Sequence, residues 1–317
     1  MQKKYKIFLN PKKKKNFLVT IAIGKKYFKN WEEYSKKNWI TYCKKYSLGL
    51  IVITDHLIDK KNKFWKKPTW QKLLIGSYLN TNLKNNTIQN LCYLDTDILI
   101  NPLAPNIFEM WKKNKIGVVS MRNNLPYDYI QVRKYIAFYR NKYYSKKYPL
   151  DSALFISIKD LYKFHNLPVQ KDECCAGLFL FNINKHADRM KNWFFKYDKN
   201  TVSITNGGDQ THFNYHVQNE KLDFWLDYRF QASWNYEMAW NYPFLYRKDN
   251  SKKIIKDCIE TTLTRNYFLH FAGNWPESKM WKTKNLLDDK KNKNLLKKLN
   301  IYSKKKLSGK PIGFIKP

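Results

Sequence analysis

Two aspartates, Asp95 and Asp97, stand two residues apart between the apolar runs Leu91-Cys92-Tyr93-Leu94 and Ile98-Leu99-Ile100. The first run reads as a buried strand, which delivers its last residues to the edge of a sheet. Strand alternation predicts that the two carboxylates share one face. Like charges held that close repel, and apolar surroundings raise the cost, so the pair needs a positive partner. A divalent cation with oxygen ligands fits, and such an ion is often shared with substrate phosphates. The spacing therefore predicts a metal–diphosphate site at the carboxyl end of a buried strand, where open α/β sheets bind ligands. An isolated Asp-x-Asp also reads as the start of a solvated loop; the apolar residues on both sides argue against that here.

The chain has ample material to position this pair. Its 317 residues are 43% hydrophobic and 17% aromatic, enough for one large α/β domain or two small ones and unlike a disordered chain. No run of about 18 uncharged apolar residues occurs, so no membrane-spanning helix is expected. The basic start is followed by only Ile7-Phe8-Leu9, too short an apolar segment for a secretory leader. Five cysteines, an odd number without metal-like spacing, fit reduced thiols in a cytosolic setting.

The net charge of +35 invites a nucleic-acid reading, but 53 of the 60 basic residues are Lys and only 7 are Arg. Arg is the residue suited to bidentate phosphate and base contacts. The lysines are spread along the chain and accompany an excess of Asn, Ile, Tyr and Phe, all AT-rich codons. No specific nucleic-acid partner is therefore expected. Attraction to anionic lipid or to nucleotides follows from the charge alone.

Residues 1–15 read as a loose, Lys-rich arm. Phe17–Gly24 reads as a buried strand ended by glycine, Tyr27–Tyr46 as one helix, and Leu48–Asp55 as a second strand. Pro68 opens a helix over Thr69–Thr81, and the strand carrying the aspartates follows. This alternation predicts an α/β fold with a mostly parallel central sheet and helices on both faces. Further on, the pattern gives a short helix over Asn106–Lys113, a strand over Ile116–Met121, an insertion or lid over 122–170 and a strand over Cys175–Asn182. A helix over His186–Tyr197 follows, then a turn Thr205–Gln210 into a helix that runs to about Asn219. Phe268–Gly273 reads as a last strand. The reading is thus one domain over 16–275 and a basic amphipathic tail over 276–317. In that tail Leu295, Leu296 and Leu299 give a short helix one apolar face, suited to peripheral contact with an anionic membrane.

In this order the motifs resemble the GT-A nucleotide-sugar glycosyltransferases, most closely the retaining family 8 that includes glycogenin and lipopolysaccharide glycosyltransferases. The resemblance covers about residues 17–280. It rests on Val19-Thr20-Ile21-Ala22 with Tyr27, on Thr69-Trp70-Gln71-Lys72-Leu73, and on Tyr93-Leu94-Asp95-Thr96-Asp97. It continues in Cys175-Ala176-Gly177-Leu178-Phe179, in Gly207-Gly208-Asp209-Gln210, and in His270-Phe271-Ala272-Gly273 with Lys279 and Trp281. Cys175 departs from the pattern, since the family usually has Asn there. Asn206 stands where glycogenin-like proteins have Asp, and the gap from Gly273 to Lys279 is three residues longer than usual. Family 34, which also uses an Asp-x-Asp, is a related alternative.

The resemblance implies a GT-A, Rossmann-like domain that transfers a hexose from a nucleoside-diphosphate sugar, a UDP-sugar, to a glycan or glycolipid acceptor with retention of configuration. It implies that Asp95, Asp97 and His270 hold Mn²⁺ or Mg²⁺, with Mn²⁺ favoured by the imidazole. Thr20, Ile21, Ala22, Tyr27 and Asp55 would hold the nucleoside, and Lys72, Thr96, Gly273 and Lys279 the diphosphate or sugar. Asp209 and Gln210 would face the reacting sugar. Each has a plainer alternative: His270 as a core histidine, Asp209 as a helix N-cap, Tyr27 as core, Asp55 as a strand-end cap. His212 and His216 are spaced like metal ligands but lack a third, and read as core or surface histidines. An inverting transferase, a sugar nucleotidyltransferase and a basic nucleic-acid-binding protein are the competing functions.

Overall fold

The computed structural model describes residues 3–12, 15–83, 88–145, 154–198, 200–201, 208–284 and 286. The amphipathic tail segment around Leu295, Leu296 and Leu299 and the turn residues Thr205–Gly207 lie outside the described residues.

The central sheet has seven strands in the order β1 (Tyr5–Leu9), β3 (Gly49–Ile53), β2 (Asn16–Ile21), β4 (Asn90–Leu94), β7 (Leu178–Asn182), β6 (Ile116–Val118) and β8 (Asp223–Trp225). Its centre, β3–β2–β4, is parallel, as the strand–helix–strand pattern predicts. β1 and β7 run antiparallel to their neighbours, so the whole sheet is mixed. Alternation sorts the side chains into two cores. Phe17, Val19, Ile51, Ile53, Leu91, Tyr93, Phe179 and Phe181 enter one cluster. Leu18, Leu50, Val52, Cys92, Leu94, Leu178 and Leu180 enter the other. Both faces are thus covered, which is why these strands read as continuous apolar runs. A buried ladder of amides crosses three of them: Asn90 donates to Asn16 at 2.8 Å, and Asn182 donates to Asn90 at 2.9 Å. A shift of register would leave those amides unpaired in the core, so the ladder pins the strands.

A second, three-stranded sheet, β5 (Ile98–Ile100), β10 (Phe268–His270) and β9 (Ala232–Ser233), sits beyond the Asp pair. It supports a third apolar cluster, which includes Val132 and Ile136 of the helix Tyr129–Tyr143 and reaches Trp281. The 122–170 segment contributes helices, Tyr129–Tyr143 and Ile158–Phe164, and no described strand of the sheet. Arg140 of the first helix donates to Glu277 at 2.7 Å. Both side chains are enclosed, so the ion pair fastens the segment after β10 to the domain.

Four sequence expectations are corrected. Residues 5–9 are not a loose arm: they form β1, because Tyr5 and Phe8 pack on Tyr78 and Trp31 while Lys6 faces solvent. The Tyr27–Tyr46 helix is two, Lys25–Tyr34 and Lys36–Tyr46. It breaks at Ser35, whose hydroxyl donates to the Thr96 carbonyl at 2.8 Å, and this tertiary bond overrides local propensity. The helix expected over Asn106–Lys113 shrinks to one 3₁₀ turn, Ile107–Glu109, capped by Asn106. Asp95 and Asp97 do not lie on a strand face. β4 ends at Leu94, and a turn closed by the Ile98 amide on the Asp95 carbonyl, 3.2 Å, carries both.

Buried aromatics enclose three histidines. His212 lies against Trp70, Tyr197 and His165, and His216 stacks on Trp193. Burial, reinforced by neighbouring positive groups, pushes His212 down to about 3. Burial and Lys196 push His216 down to about 4, outweighing Glu220 at 3.7 Å. Burial also lowers His165. The unfolded chain binds these protons near pH 6.5 and the folded chain does not, so stability falls as pH drops below about 6.5. Each of His212 and His216 is expected to cost roughly 2 kcal/mol at pH 5. Urea unfolding at pH 7.5 and pH 5 checks this, and His212→Asn should flatten the dependence; equal slopes for the two proteins would contradict it.

Candidate functional site

The turn after β4 meets two other chain segments. The first is Cys175-Ala176-Gly177, just before β7. The Asp95 amide donates to the Gly177 carbonyl at 2.8 Å, which extends the β4–β7 pairing by one residue. The second is β10. Its antiparallel pairing with β5 puts His270 opposite Ile98, one residue from Asp97, and the Phe271 amide donates to the Asp97 carbonyl at 3.2 Å. The small sheet thus carries the imidazole to the carboxylates.

Nε2 of His270 lies 3.7 Å from Asp95 Oδ2 and 3.4 Å from Asp97 Oδ1. One ligand atom from each of the three residues falls within 4.8 Å of the others. Two ligands at about 2.1 Å from one ion and at right angles lie about 3 Å apart, so small side-chain shifts close the set on a cation. The imidazole is enclosed while the carboxylates are half-buried, which leaves their outer side open. Burial opposes a charge on His270, but Cys175 and Asp97 outweigh it and hold its pKa well above the usual histidine range. Tyr93 donates to Asp95 Oδ1 at 2.6 Å and fixes that carboxylate.

The far side of His270 also fits a cation. Nδ1 faces Cys175 Sγ at 3.4 Å and the Gln231 amide nitrogen at 3.2 Å. Gln231 Oε1 is buried without a hydrogen-bond partner. Turning the amide over lets Oε1 accept from Nδ1–H, which leaves the Nε2 lone pair free for a metal. Gly177 is needed here for space: a Cβ there would lie 2.3 Å from His270 Cε1 and 2.7 Å from Asp95 Oδ2.

Lys72 stands beside this group. Its helical segment, opened by Pro68, continues as the 3₁₀ turn Lys72–Leu74. Its ammonium is enclosed, donates to the Ala176 carbonyl at 2.6 Å and lies 3.1 Å from Asp209 Oδ2. Burial works against its charge, but Asp209 and Asp95 outweigh it and raise its pKa. Burial pushes the Asp209 carboxyl up to about 6 in spite of Lys72. Asp209 precedes the helix Gln210–Asn219 but makes no side-chain cap bond; its carboxylate is turned to Lys72.

The other expected residues are placed differently. Gln210 donates to Glu173 Oε1 at 2.6 Å, and Glu173 is paired with Arg122 at 2.7 Å. Thr96 offers its carbonyl to Ser35. Thr20 and Ala22 are buried, and Ile21 is half-buried at the end of β2. Tyr27, 64% exposed, is not core. Asp55 accepts from the His56 amide and is exposed, as is Lys279; neither makes a contact named above. Gly273 has a φ of 99°, which only glycine adopts without strain. Sequence reasoning missed Gln231, Glu173, Arg122 and His56. Gln231 carried a faint signal, lying just before the apolar-flanked Ala232-Ser233. His56, Ile23, Lys60, Trp65 and Pro68 line an open cleft of about 390 Å³ near the ends of β2 and β3.

No family model matches the sequence, and no curated protein matches it. Among solved structures, the chain is similar to a glycosyltransferase involved in glycosylation of the major capsid of PBCV-1, at 8% identity and TM-score 0.47, covering 84% of this chain and 97% of that one. It is similar to the galactosyltransferase LgtC in complex with donor and acceptor sugar analogs, at 12% identity and TM-score 0.45, covering 90% and 95%. It is also similar to the bifunctional glycosyltransferase WbbM, at 11% identity and TM-score 0.44, covering 91% of this chain and 52% of that one. Likeness at this level leaves the chemistry to the chain's own residues.

The Lys72–Asp209 pair makes a direct prediction. Lys72→Met leaves a carboxyl enclosed without its cation and should destabilise the fold by about 3 kcal/mol. Adding Asp209→Leu should recover more than half of that loss. Chemical unfolding of the two single variants and the double variant measures the coupling, and additive losses would contradict it.

Proposed function

We propose that the protein is a metal-dependent glycosyltransferase that moves a hexose from a nucleoside-diphosphate sugar, a UDP-sugar by the resemblance, to a glycan or glycolipid acceptor with retention of configuration. The observation that carries this reading is the convergence of Asp95, Asp97 and His270 within 4.8 Å, beside the enclosed Lys72–Asp209 pair. The motif order in the sequence supports it, since the resembling segments that carry Lys72, Asp95 and Asp97, Cys175, Asp209 and His270 meet here.

Asp95, Asp97 and His270 would hold the cation, Mn²⁺ in preference to Mg²⁺ for a mixed oxygen and nitrogen set. When bound, that ion supplies positive charge where the leaving diphosphate becomes more negative. Gln231 orients the imidazole, and Tyr93 orients Asp95. Lys72 holds Asp209 in place, and Asp209 offers a carboxylate to a sugar developing positive charge. Cys175, where the family has an amide, turns to His270 and gives the sugar no hydrogen-bonding amide from that position. The cleft beside His56 and Trp65 is the place for the nucleoside base, next to the residues 20–22 and Asp55. A cytoplasmic location, in keeping with five free, buried cysteines, belongs to the same proposal.

The experiment is release of nucleoside diphosphate from a panel of nucleotide sugars, with and without Mn²⁺. Activity should require the metal, and Asp97→Asn should lower both turnover and Mn²⁺ affinity by more than 100-fold, on the order of 3 kcal/mol, with the fold intact. Undiminished activity in excess EDTA would sink the metal assignment. An early product from a UDP-α-sugar should show an α anomeric proton by NMR; a β proton would point to inversion instead.

A further inference from the structure

The helix Tyr129–Tyr143 has two unlike faces. Val132 and Ile136, spaced by four, point into the third core cluster, and Arg140, one turn on, is buried against Glu277. Ile130, Lys134, Phe138 and Lys142, also spaced by four, form the opposite strip. Ile130 and Phe138 are 59% and 57% exposed, far more than packing surfaces need. Trp240, 39% exposed, extends the strip sideways: its ring lies 5.7 Å from Tyr135, which lies 6.4 Å from Tyr139, itself 5.2 Å from Phe138. These rings make one continuous apolar surface rather than scattered residues.

The charges on the helix itself have one sign. The helix contains no acidic residue. Lys134 is exposed, and the Lys142 ammonium rides 5.6 Å from the Phe138 ring and 5.3 Å from the Tyr143 ring. Of the nearby acids, Asp128 caps the helix start through the Gln131 amide, and Glu237 is buried against Tyr127. We propose that this face docks on an anionic lipid bilayer, with Ile130, Phe138 and Trp240 entering the interface and Lys134 and Lys142 meeting the headgroup phosphates. Trp and Tyr rings suit that boundary, and lysines beside it are drawn to anionic headgroups.

Charge selects this occupant over the two others at hand. A second copy docking by two-fold symmetry would set Lys134 and Lys142 against themselves. Residues 287–317 of this chain carry ten lysines and two aspartates, so they are repelled as well. Position favours the bilayer too. Tyr129, at the start of the helix, lies 6.3 Å from Tyr236, and Tyr236 lines the same recess as His270. Docking therefore brings the candidate site close to the lipid surface.

The test is sedimentation of the full chain with vesicles, at low salt and without nucleotide or divalent ion, so that its outcome is independent of the transferase reading. Vesicles rich in phosphatidylglycerol should carry the protein down, and pure phosphatidylcholine should not. Lys134→Glu with Lys142→Glu should weaken partitioning about tenfold or more, as should Phe138→Ser with Trp240→Ser. A control of equal charge change, Lys185→Glu with Lys191→Glu on the helix Ile183–Lys196, should have a much smaller effect. Unfolding midpoints show that each variant is folded. Wild-type partitioning in both patch variants, an equal loss in the control, or no binding by the unaltered chain would overturn the proposal.

Discussion

Three carboxylates crowd the carboxyl end of β4, and keeping them there against their mutual repulsion is the constraint on which the rest of the structure depends. Asp209 is enclosed outright, and Asp95 and Asp97 are half-buried. Among the described residues, two cationic side chains, Lys72 and His270, touch them. Lys72 neutralises Asp209 from within, and a second of its hydrogen-bonding directions is taken up by the Ala176 carbonyl. This division gives the inner carboxylate a permanent partner and leaves the outer two under-compensated. An excess of negative charge facing solvent is what a divalent cation relieves.

The two sheets share the task. The large one fixes β4 and β7 side by side, so the backbone of residues 176 and 177 accepts from Lys72 and from the Asp95 amide. The small one is short, and its purpose in the fold is local: β5 leaves the Asp turn, β9 follows Gln231, and β10 ends at His270. Pairing three short strands thus collects the imidazole that faces the two carboxylates and the amide behind it. Gly177 lets the two sheets close on each other, because any side chain there would occupy the volume of the His270 ring.

Much of this was legible in the sequence because the central strands are buried on both faces and announce themselves as apolar runs. The Asp pair was legible because charge inside such a run is costly. Asp209 was readable only as cap or contact, since Gly-Gly-Asp suits both; its choice of Lys72 is a tertiary fact. The break at Ser35 and the strand at residues 5–9 were invisible for a similar reason. Both depend on partners far along the chain, the Thr96 carbonyl and β3, rather than on neighbours. Glu173 carries no local pattern that separates a positioning carboxylate from any other polar residue, and Gln231 carries only the faint one of preceding Ala232-Ser233. Lys72 was marked only by its motif among 53 lysines.

The spread of the site along the chain bears on how it comes into being during synthesis. Lys72 meets a carbonyl 104 residues later, Cys175 meets His270 across 95 residues, and Asp97 waits for that same imidazole. Closing loops of that length is slow, and little rewards it until the last strand arrives. The parallel core can form as soon as β4 has been made, but the carboxylate cluster then stands open on a growing chain. The ordering of that corner is therefore a late event, dependent on β10, and a chain cut short before residue 270 would hold most of a sheet without the pocket the sheet exists to build.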